Sequence, residues 1–280
     1  KHQEALHGSK HVGLFHAHPA IAAVTLTGSE GAGSQVASCA GQAIKKTVME
    51  LGGSDPFIVR ADADLEIAVQ AAVRARYQNT GQSCIAAKRF IVEAPVLREF
   101  QDRFVASVRA LKMGDPMDRA TQIGPLARPE FVGDLERQVR ESVRMGAKIL
   151  TGGERGGGKG YFLKPTVLAD VRPEMPAAKE EVFGPVAAIM RAENAEDAVR
   201  LANATPYGLG ASLWTTDIEE AKRMARRIEA GQVFINGIVA SDPRLPFGGV
   251  KRSGYGRELS ELGIREFVNI QTVWIGPPIH

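Results

Sequence analysis

The chain has 280 residues, of which 44% are hydrophobic and 24% are charged, and its formal net charge is only +3. This length allows one large domain or two modest ones with a sizeable core. The weak net charge gives no reason to expect nucleic acid or an anionic membrane as a partner. Because apolar runs are short and interrupted by glycine, proline or charge, no segment is expected to span a bilayer.

Cysteine and histidine placement narrows the classes further. Two cysteines, Cys39 and Cys84, and the absence of a signal-peptide pattern in residues 1–20 predict a reducing, cytoplasmic setting without a disulfide scaffold. Histidines cluster near the N-terminus (His2, His7, His11, His16 and His18), and His280 ends the chain. This cluster is either a metal site or an irregular terminal segment, and we favour the segment, with no metal. Residues 19–279 lack histidine, which excludes a Ser-His-Asp triad or a Cys-His pair there.

In chain order, predicted strands alternate with predicted helices. The strands cover 24–27, 46–51, 89–93, 147–150, 186–190, 210–214 and 232–236. One helix begins near Ser29, and the others cover 62–77, 96–111, 129–146, 195–204 and 218–230. This alternation predicts an open α/β sheet with helices on its faces. A further strand is expected over residues 267–275, which are β-prone and partly alternate.

Two residues stand out by local context. Cys84 follows a glycine-containing turn, where backbone amides would lower the pKa of the thiol, whereas Cys39 lies within a predicted helix as a small packing residue. Glu50 ends an apolar strand before two glycines. It is either a surface charge or a partly buried acid whose pKa rises toward neutrality, which suits a general base. Taken alone, each cysteine is more often a core residue than a catalyst.

Six segments in fixed order change this interpretation: TLTGS, MELGGSDP, NTGQSC, EEVFGP, INGIVASDPRLPFGG and KRSGYGRE. Together they resemble the aldehyde dehydrogenase superfamily over about residues 21–275. Within it, the C-terminal segment from Ser241 to Trp274 is most similar to the bacterial NAD(P)-dependent succinate-semialdehyde dehydrogenases. The resemblance implies an α/β fold with an aldehyde dehydrogenase-like catalytic domain and a remnant of the Rossmann-type cofactor domain.

The resemblance also implies roles for individual residues. Cys84 would attack the aldehyde to form a thiohemiacetal and then a thioester, and Glu50 would activate water to hydrolyse it. The Cys84 amide would form half of an oxyanion hole. Contacts to NAD or NADP are implied for Gly28, Ser29, Gly33, Leu51, Glu181 and Phe183. Phe247 would line the aldehyde pocket and Glu258 would relay protons. Without the resemblance, Glu181 is one more acid in a charged run and Phe247 is ordinary core packing.

Substrate recognition is expected at two further positions. Ser253 matches a serine that contacts the distal carboxylate of the substrate in related enzymes. Gln78 stands where some members carry a carboxylate-binding arginine, so another cation (Arg74, Arg76, Lys88 or Arg89) would have to substitute.

The resemblance does not include the N-terminal portion of the family, for which this sequence has no matching segment. It implies a cofactor-domain remnant at 1–52, a catalytic domain at 53–252 and a tail with an oligomerisation strand at 253–280, in a homodimer or homotetramer. Two alternatives remain: a CoA-acylating enzyme, against which Glu50 argues, and an inactive family fragment that acts in binding or assembly.

Overall fold

The structure is a computed structural model that describes residues 18–277. Apart from His18, the histidines considered above as a metal site or a terminal segment lie outside the described residues. The strands are β1 (Ala23–Thr27), β2 (Lys46–Glu50), β3 (Asp55–Val59), β4 (Ala87–Glu93), β5 (Lys148–Thr151), β6 (Thr166–Ala169), β7 (Val186–Ala192), β8 (Gly210–Trp214), β9 (Gln232–Ile235) and β10 (Gly254–Tyr255). The α-helices are α1 (Glu30–Gln42), α2 (Leu65–Tyr77), α3 (Leu97–Arg109), α4 (Pro129–Arg144), α5 (Pro176–Lys179), α6 (Ala195–Asn203), α7 (Ile218–Ala225) and α8 (Ser260–Arg265).

Seven strands form the main sheet, in the order β5-β6-β7-β4-β3-β8-β9. All neighbouring pairs are parallel except β5 and β6. Because successive side chains of a strand point to opposite faces, Ile58 and Ile91 join one core cluster while Phe57 and Phe90 join the other. Helices α4, α6 and α7 contribute to the first cluster, and α2 and α3 to the second. The predicted open α/β sheet with helices on both faces is confirmed.

Three strands form a second, smaller sheet in the order β1-β2-β10. β1 and β2 are parallel, whereas the two residues of β10 pair antiparallel with the end of β2, so that Gly254 lies opposite Glu50. Segments that are distant along the chain therefore meet at Glu50.

Most predicted elements occur within a few residues of their expected bounds. Helix α2 begins after Asp64, whose carboxylate accepts hydrogen bonds from the amides of Glu66 (3.0 Å) and Ile67 (3.2 Å). The helix predicted over 218–230 is shorter and ends at Ala225, because tight turns replace its last turn, with the Ala230 amide bonded to Ile228 O at 3.0 Å. Strands β3, β6 and β10 were not anticipated.

The strand predicted over residues 267–275 does not form within this chain, and an intersubunit strand there stays a prediction. Neither sheet includes this segment, and the side chains of Ile270, Trp274 and Ile275 are exposed. A β-prone segment becomes a strand only when a neighbouring strand completes its backbone hydrogen bonds, and no described strand lies beside it. Among residues 18–277, no helix is both long and apolar enough to cross a membrane.

Candidate functional site

A strained turn carries Cys84 from the end of α2 to the start of β4. Three consecutive residues in it, Asn79, Thr80 and Gly81, have positive φ angles of 53°, 57° and 73°. Such a conformation costs free energy for residues other than glycine and occurs where packing enforces it. At Gly81 the packing is closed, because an added β-carbon would lie 2.3 Å from the carbonyl oxygen of Gly184. The turn thus fixes the approach to Cys84.

The Cys84 side chain is half-buried, and burial raises the pKa of its thiol. The positive charge of Lys88 and the amide of Ile85 oppose this rise, while the carboxylates of Asp55 and Glu181 add to it. The sequence predicted a net lowering of the pKa by nearby amides, and that prediction is wrong. Burial outweighs the amide contribution, and the residue that most opposes it is a lysine.

Gly52 and Gly53 bring the end of β2 against the Cys84 turn. A β-carbon on Gly53 would lie 2.7 Å from the Cys84 carbonyl oxygen, and one on Gly52 would lie 2.6 Å from Glu181 Oε2. The Gly53 amide donates a hydrogen bond to Glu181 Oε1 at 3.0 Å. Only glycine allows the backbone to pass so close. Cys84, Glu181 and the strand that ends in Glu50 are therefore neighbours.

Glu50 is a buried acid with an unusual environment. Only 3% of the residue is exposed, and neither carboxyl oxygen has a hydrogen-bond partner in the described chain. Burial raises the pKa of Glu50 to about 8; the negative charge of Glu258 adds to this rise, and the positive charge of Arg257 opposes it. Of the two sequence interpretations of this strand end, a surface charge and a buried acid of raised pKa, the structure supports the second.

Phe247 and Glu258 are joined by a pair of backbone hydrogen bonds beside Glu50. The Phe247 amide donates to Glu258 O at 2.8 Å, and the Glu258 amide donates to Phe247 O at 2.6 Å. Gly248 follows Phe247, and a β-carbon on it would lie 2.8 Å from Glu50 Oε1. This Phe247–Glu258 ladder holds Glu258 near Glu50, which explains why the negative charge of Glu258 raises the pKa of Glu50.

Four of the residues predicted to contact the cofactor cluster at the start of α1. Ser29 caps the helix, with Oγ accepting a hydrogen bond from the Ala32 amide at 3.3 Å. The Gly28 amide donates to Glu50 O at 2.9 Å. Leu51 packs so closely on α1 that a β-carbon on Gly33 would lie 2.5 Å from its side chain. The helix start is thus tied to the strand that carries Glu50.

The other two, Glu181 and Phe183, line a cavity of about 370 Å³. Phe131 and Tyr207 also line it, and the rings of Phe131 and Phe183 meet edge to face with centroids 5.6 Å apart. An acidic group and aromatic rings therefore border one open space next to the Cys84 turn.

A smaller cavity is lined by Gln78. Arg74, Ser83 and Ile85 also line it. Arg74 is exposed, and its side chain makes no hydrogen bond or ion pair with any residue from 18 to 277. It is the one cation of the four sequence candidates in this cavity.

The other three candidate cations are fully buried and engaged elsewhere. Arg76 donates to Gly81 O at 2.6 Å, and Arg89 donates to Ser54 O at 2.9 Å and to Leu201 O at 2.8 Å. Lys88 donates to backbone carbonyls of the Cys84 turn. None of the three lines the cavity that contains Gln78, although Nε and Nη1 of Arg76 have no partner among the described residues.

Ser253 does not line the cleft. It is 0% exposed, and its Oγ accepts a hydrogen bond from the Gly208 amide at 3.0 Å. The enclosed hydroxyl, whose oxygen accepts this one hydrogen bond, gives no support to the predicted contact with a substrate carboxylate, which stays a prediction. Ser253 instead has a structural role, since its backbone carbonyl accepts a hydrogen bond from the Leu51 amide at 3.0 Å, next to Glu50.

Sequence reasoning missed Asp55, which lies beneath the Cys84 turn. It is buried, its Oδ1 accepts the Gly210 amide at 3.0 Å, and burial raises its pKa to about 7. A signal existed in the next strand, AAKRFIVE, where two cations open an apolar run. Such cations, once buried, require acidic or carbonyl partners nearby. No group of three His, Cys, Asp or Glu residues that could hold a metal ion occurs among residues 18–277.

Comparison with known proteins places this arrangement in a family. The model of the aldehyde dehydrogenase family matches residues 5–273. The chain is 58% identical over 254 residues to the succinate semialdehyde dehydrogenase [NAD(P)+] Sad of Escherichia coli, covering 91% of this chain and 55% of that protein. It is 56% identical over 257 residues to succinate-semialdehyde dehydrogenase [NADP(+)] 1 of Mycobacterium tuberculosis, covering 92% of this chain and 56% of that one.

A solved structure, the succinate-semialdehyde dehydrogenase of Burkholderia pseudomallei, superposes with a TM-score of 0.89 at 40% identity, covering 93% of this chain and 54% of that chain. This chain thus spans little more than half the length of the relatives it matches. The match runs through the Cys84 turn, the Glu50 strand end and the Phe247–Glu258 ladder alike. On these grounds the chain belongs to the aldehyde dehydrogenase family.

Proposed function

We propose that this chain forms the catalytic part of an NAD(P)-dependent aldehyde dehydrogenase that oxidises succinate semialdehyde to the dicarboxylic acid. The observation that carries the proposal is the junction of the two glycines after Glu50 with the Cys84 turn. It sets the strand that ends in Glu50, a buried acid of raised pKa, directly against the turn that carries the Cys84 thiol. Relatives named as succinate-semialdehyde dehydrogenases support the choice of aldehyde.

In the proposed mechanism, the Cys84 thiolate attacks the aldehyde carbon. The carbonyl oxygen becomes negative and accepts a hydrogen bond from the Cys84 backbone amide. Glu181 and Phe183 would hold the nicotinamide end of a bound dinucleotide, which would supply the hydride acceptor, and loss of hydride from that carbon would leave a thioester to Cys84. The Glu50 carboxylate then takes a proton from water, and the hydroxide oxygen adds to the thioester carbon. The carboxylic acid leaves as Cys84 regains its thiolate, and Glu258, whose charge acts on Glu50, takes the proton onward.

Both cofactor-facing regions suit a dinucleotide. The capped start of α1 at Ser29 presents backbone amides, which favour phosphate groups. The Glu181 carboxylate, anchored by the Gly53 amide at 3.0 Å, borders the cavity beside Phe183 and can accept hydrogen bonds from a ribose. We therefore propose Gly28, Ser29, Gly33, Leu51, Glu181 and Phe183 as contacts to NAD or NADP.

An activated ester tests the two catalytic roles without the cofactor. p-Nitrophenyl acetate acylates a reactive thiolate directly, so no hydride transfer is needed. We expect a burst of nitrophenolate followed by steady turnover, no burst in Cys84→Ala, and a burst without turnover in Glu50→Gln. Cys39→Ser is the matched control and should behave as the parent does. A burst that persists in Cys84→Ala would refute the nucleophile. A folded chain that gives no burst at all would favour the inactive-fragment alternative.

For the substrate carboxylate, we propose Arg74 as the binding cation in place of the arginine that some relatives carry at position 78. Arg74 lies one helical turn before Gln78, lines the same cavity next to Ser83 and Ile85, and has no partner among residues 18–277. A guanidinium binds a carboxylate with two parallel hydrogen bonds. Phe247 is proposed as an apolar wall of the aldehyde pocket.

This substrate assignment is tested by comparing succinate semialdehyde with butanal, which has the same carbon chain but no carboxylate. We expect Arg74→Gln to lower kcat/KM for succinate semialdehyde by about 10- to 100-fold, the loss of one charge-assisted contact. The value for butanal should hardly change. Arg98→Gln, an exposed arginine on α3, is the matched control. An equal loss for both aldehydes would show that Arg74 does not bind the carboxylate.

Domain organisation and assembly complete the proposal. We propose residues 1–52 as a cofactor-domain remnant, 53–252 as the catalytic domain and 253–280 as a tail. The exposed apolar side chains of Ile270, Val273 and Trp274 support a homo-oligomeric contact along that tail. A cytoplasmic location is part of the same proposal. Sedimentation of the parent and of a Val273→Lys, Trp274→Lys variant would test the contact, which predicts a smaller species for the variant.

A further inference from the structure

Lys88 is a completely buried lysine four residues after Cys84, at the second position of β4. Its exposed fraction is 0%. Burial of an ammonium group carries a large free-energy cost unless its three donors are satisfied. A lysine at this position therefore has to find partners inside the protein.

All three partners are main-chain carbonyls of the turn that carries Cys84. Lys88 Nζ donates to Ser83 O at 3.1 Å, to Cys84 O at 2.8 Å and to Ala86 O at 3.0 Å. An ammonium group has three N–H donors and no acceptor, so these bonds use its whole capacity. The Lys88 side chain thus cross-links the backbone of the Cys84 turn through these three hydrogen bonds.

Four titratable groups act on the Lys88 ammonium group. Burial lowers the pKa of Lys88 to about 8, and the positive charge of Arg76 lowers it further, whereas Glu181, Asp55 and the thiolate of Cys84 favour the charged form. Around Cys84, the charges are Lys88, Asp55 and Glu181. Lys88 is the one cation among them, and it is the largest influence that opposes the rise in the pKa of the thiol.

We propose that Lys88 is a positioning residue for the nucleophile, whose buried charge holds the Cys84 turn in place and favours the thiolate form of Cys84. The inference rests on the proposed role of Cys84 as the nucleophile and deepens it. The carbonyl bonds fix where the sulfur stands, and the charge sets how much of it is reactive at neutral pH. A neutral side chain that kept the bonds would keep the first effect and lose the second.

Alkylation of Cys84 by iodoacetamide as a function of pH tests this directly, in a Cys39→Ser background so that one thiol reacts. The readout needs neither aldehyde nor cofactor, so it can fail independently of the proposed oxidation. We expect Lys88→Gln, which retains donors without charge, to move the midpoint of the alkylation profile upward by about one pH unit or more. Lys88→Arg should return the midpoint toward the parent. Lys148→Met, which removes an exposed lysine on β5, is the control for charge loss alone.

A folded Lys88→Gln variant with the parental midpoint would overturn the proposal and leave Lys88 with a structural role only. A second measurement does not depend on any Lys88 variant folding. Because the influence of two charges is reciprocal, removal of the thiolate in Cys84→Ala should lower the pKa of Lys88. The pH titration of the 13C-labelled Lys88 Cε resonance reports that shift. An unchanged titration in Cys84→Ala would also overturn the proposal.

Discussion

Gly53 passes so close to Cys84 that a β-carbon on the glycine would stand 2.7 Å from the cysteine carbonyl oxygen. The same glycine donates its amide to Glu181 at 3.0 Å. Gly53 therefore joins three parts of the structure: the strand that ends in Glu50, the Cys84 turn and Glu181, which borders the larger cavity.

Gly53→Ala is expected to displace the Cys84 turn. A methyl group at this point overpacks a closed contact, and we expect the free energy of unfolding to fall by about 1–3 kcal/mol. Alkylation of Cys84 should change in rate at the same time. Urea denaturation measures the first effect. The matched control is Gly133→Ala, since nothing lies within 4 Å of the added carbon in α4; there the variant should gain about 0.5–1 kcal/mol. Equal behaviour of the two variants would contradict the close contact.

Glu50 makes the stability of the fold depend on pH. Its folded pKa of about 8 lies above the ordinary value of 4.5, so the folded chain holds this proton more tightly than the unfolded chain does. The corresponding stabilisation is complete below about pH 4.5 and is lost as the pH rises toward 8.

In Glu50→Gln there is no proton to lose. The unfolding free energy of the variant relative to the parent should therefore increase between pH 4.5 and 8, by up to about 4 kcal/mol. Denaturation at several pH values in this window gives the difference directly. The same substitution at the exposed Glu99 serves as a control. A difference that is flat across the window would mean that Glu50 is not a raised-pKa acid.

Two neighbours should move the titration of Glu50 in opposite directions. Glu258 raises the pKa of Glu50 and Arg257 lowers it. Hence Glu258→Gln should shift the pH midpoint of acyl-enzyme hydrolysis downward, and Arg257→Gln should shift it upward, each on the order of half a pH unit. Hydrolysis of the acetyl group on Cys84 after reaction with p-nitrophenyl acetate provides the measurement. Shifts of the same sign would show that the two charges do not act on Glu50.

Ser253→Ala should affect stability without altering substrate recognition. The substitution leaves the buried Gly208 amide without its acceptor at 3.0 Å, which should cost about 1–3 kcal/mol of unfolding free energy. Because the hydroxyl is enclosed, KM for succinate semialdehyde should stay at the parental value. Thermal unfolding and initial-rate kinetics separate these quantities. A rise in KM with unchanged stability would restore the contact predicted from sequence.

Elements determined by local chemistry were predictable. Helix α2 has a capping aspartate, Asp64, and an apolar side, and both signals lie within its own residues. Strand β3 was missed because it opens with Asp55-Pro56, a pair that is typical of turns. It is a strand because β4 and β8 pair with it on both sides, with a register shift at Pro56 that accommodates the missing N–H. These partners lie far away in sequence.

The site divides in the same way. Cys84, Glu50 and Glu181 carry recognisable motifs, and the fold brings their segments together. Burial was not readable, because it depends on which distant segment covers a residue. Ser253 is enclosed by the loop at Gly208, and Lys88 and Arg89 lie inside a strand that is buried along its whole length. The motifs therefore predict candidate reactive groups but not the buried charges around them.

Strand β10 pairs Gly254 with Glu50, across most of the chain. During synthesis, residues 55–235 of the main sheet emerge from the ribosome before this partner exists, so the thiol turn can be folded while the acid strand still lacks its last neighbour. Domains fold as their segments become available. If the main sheet folds as it emerges, the strand of the proposed base gains its last neighbour only after the turn of the proposed nucleophile has formed.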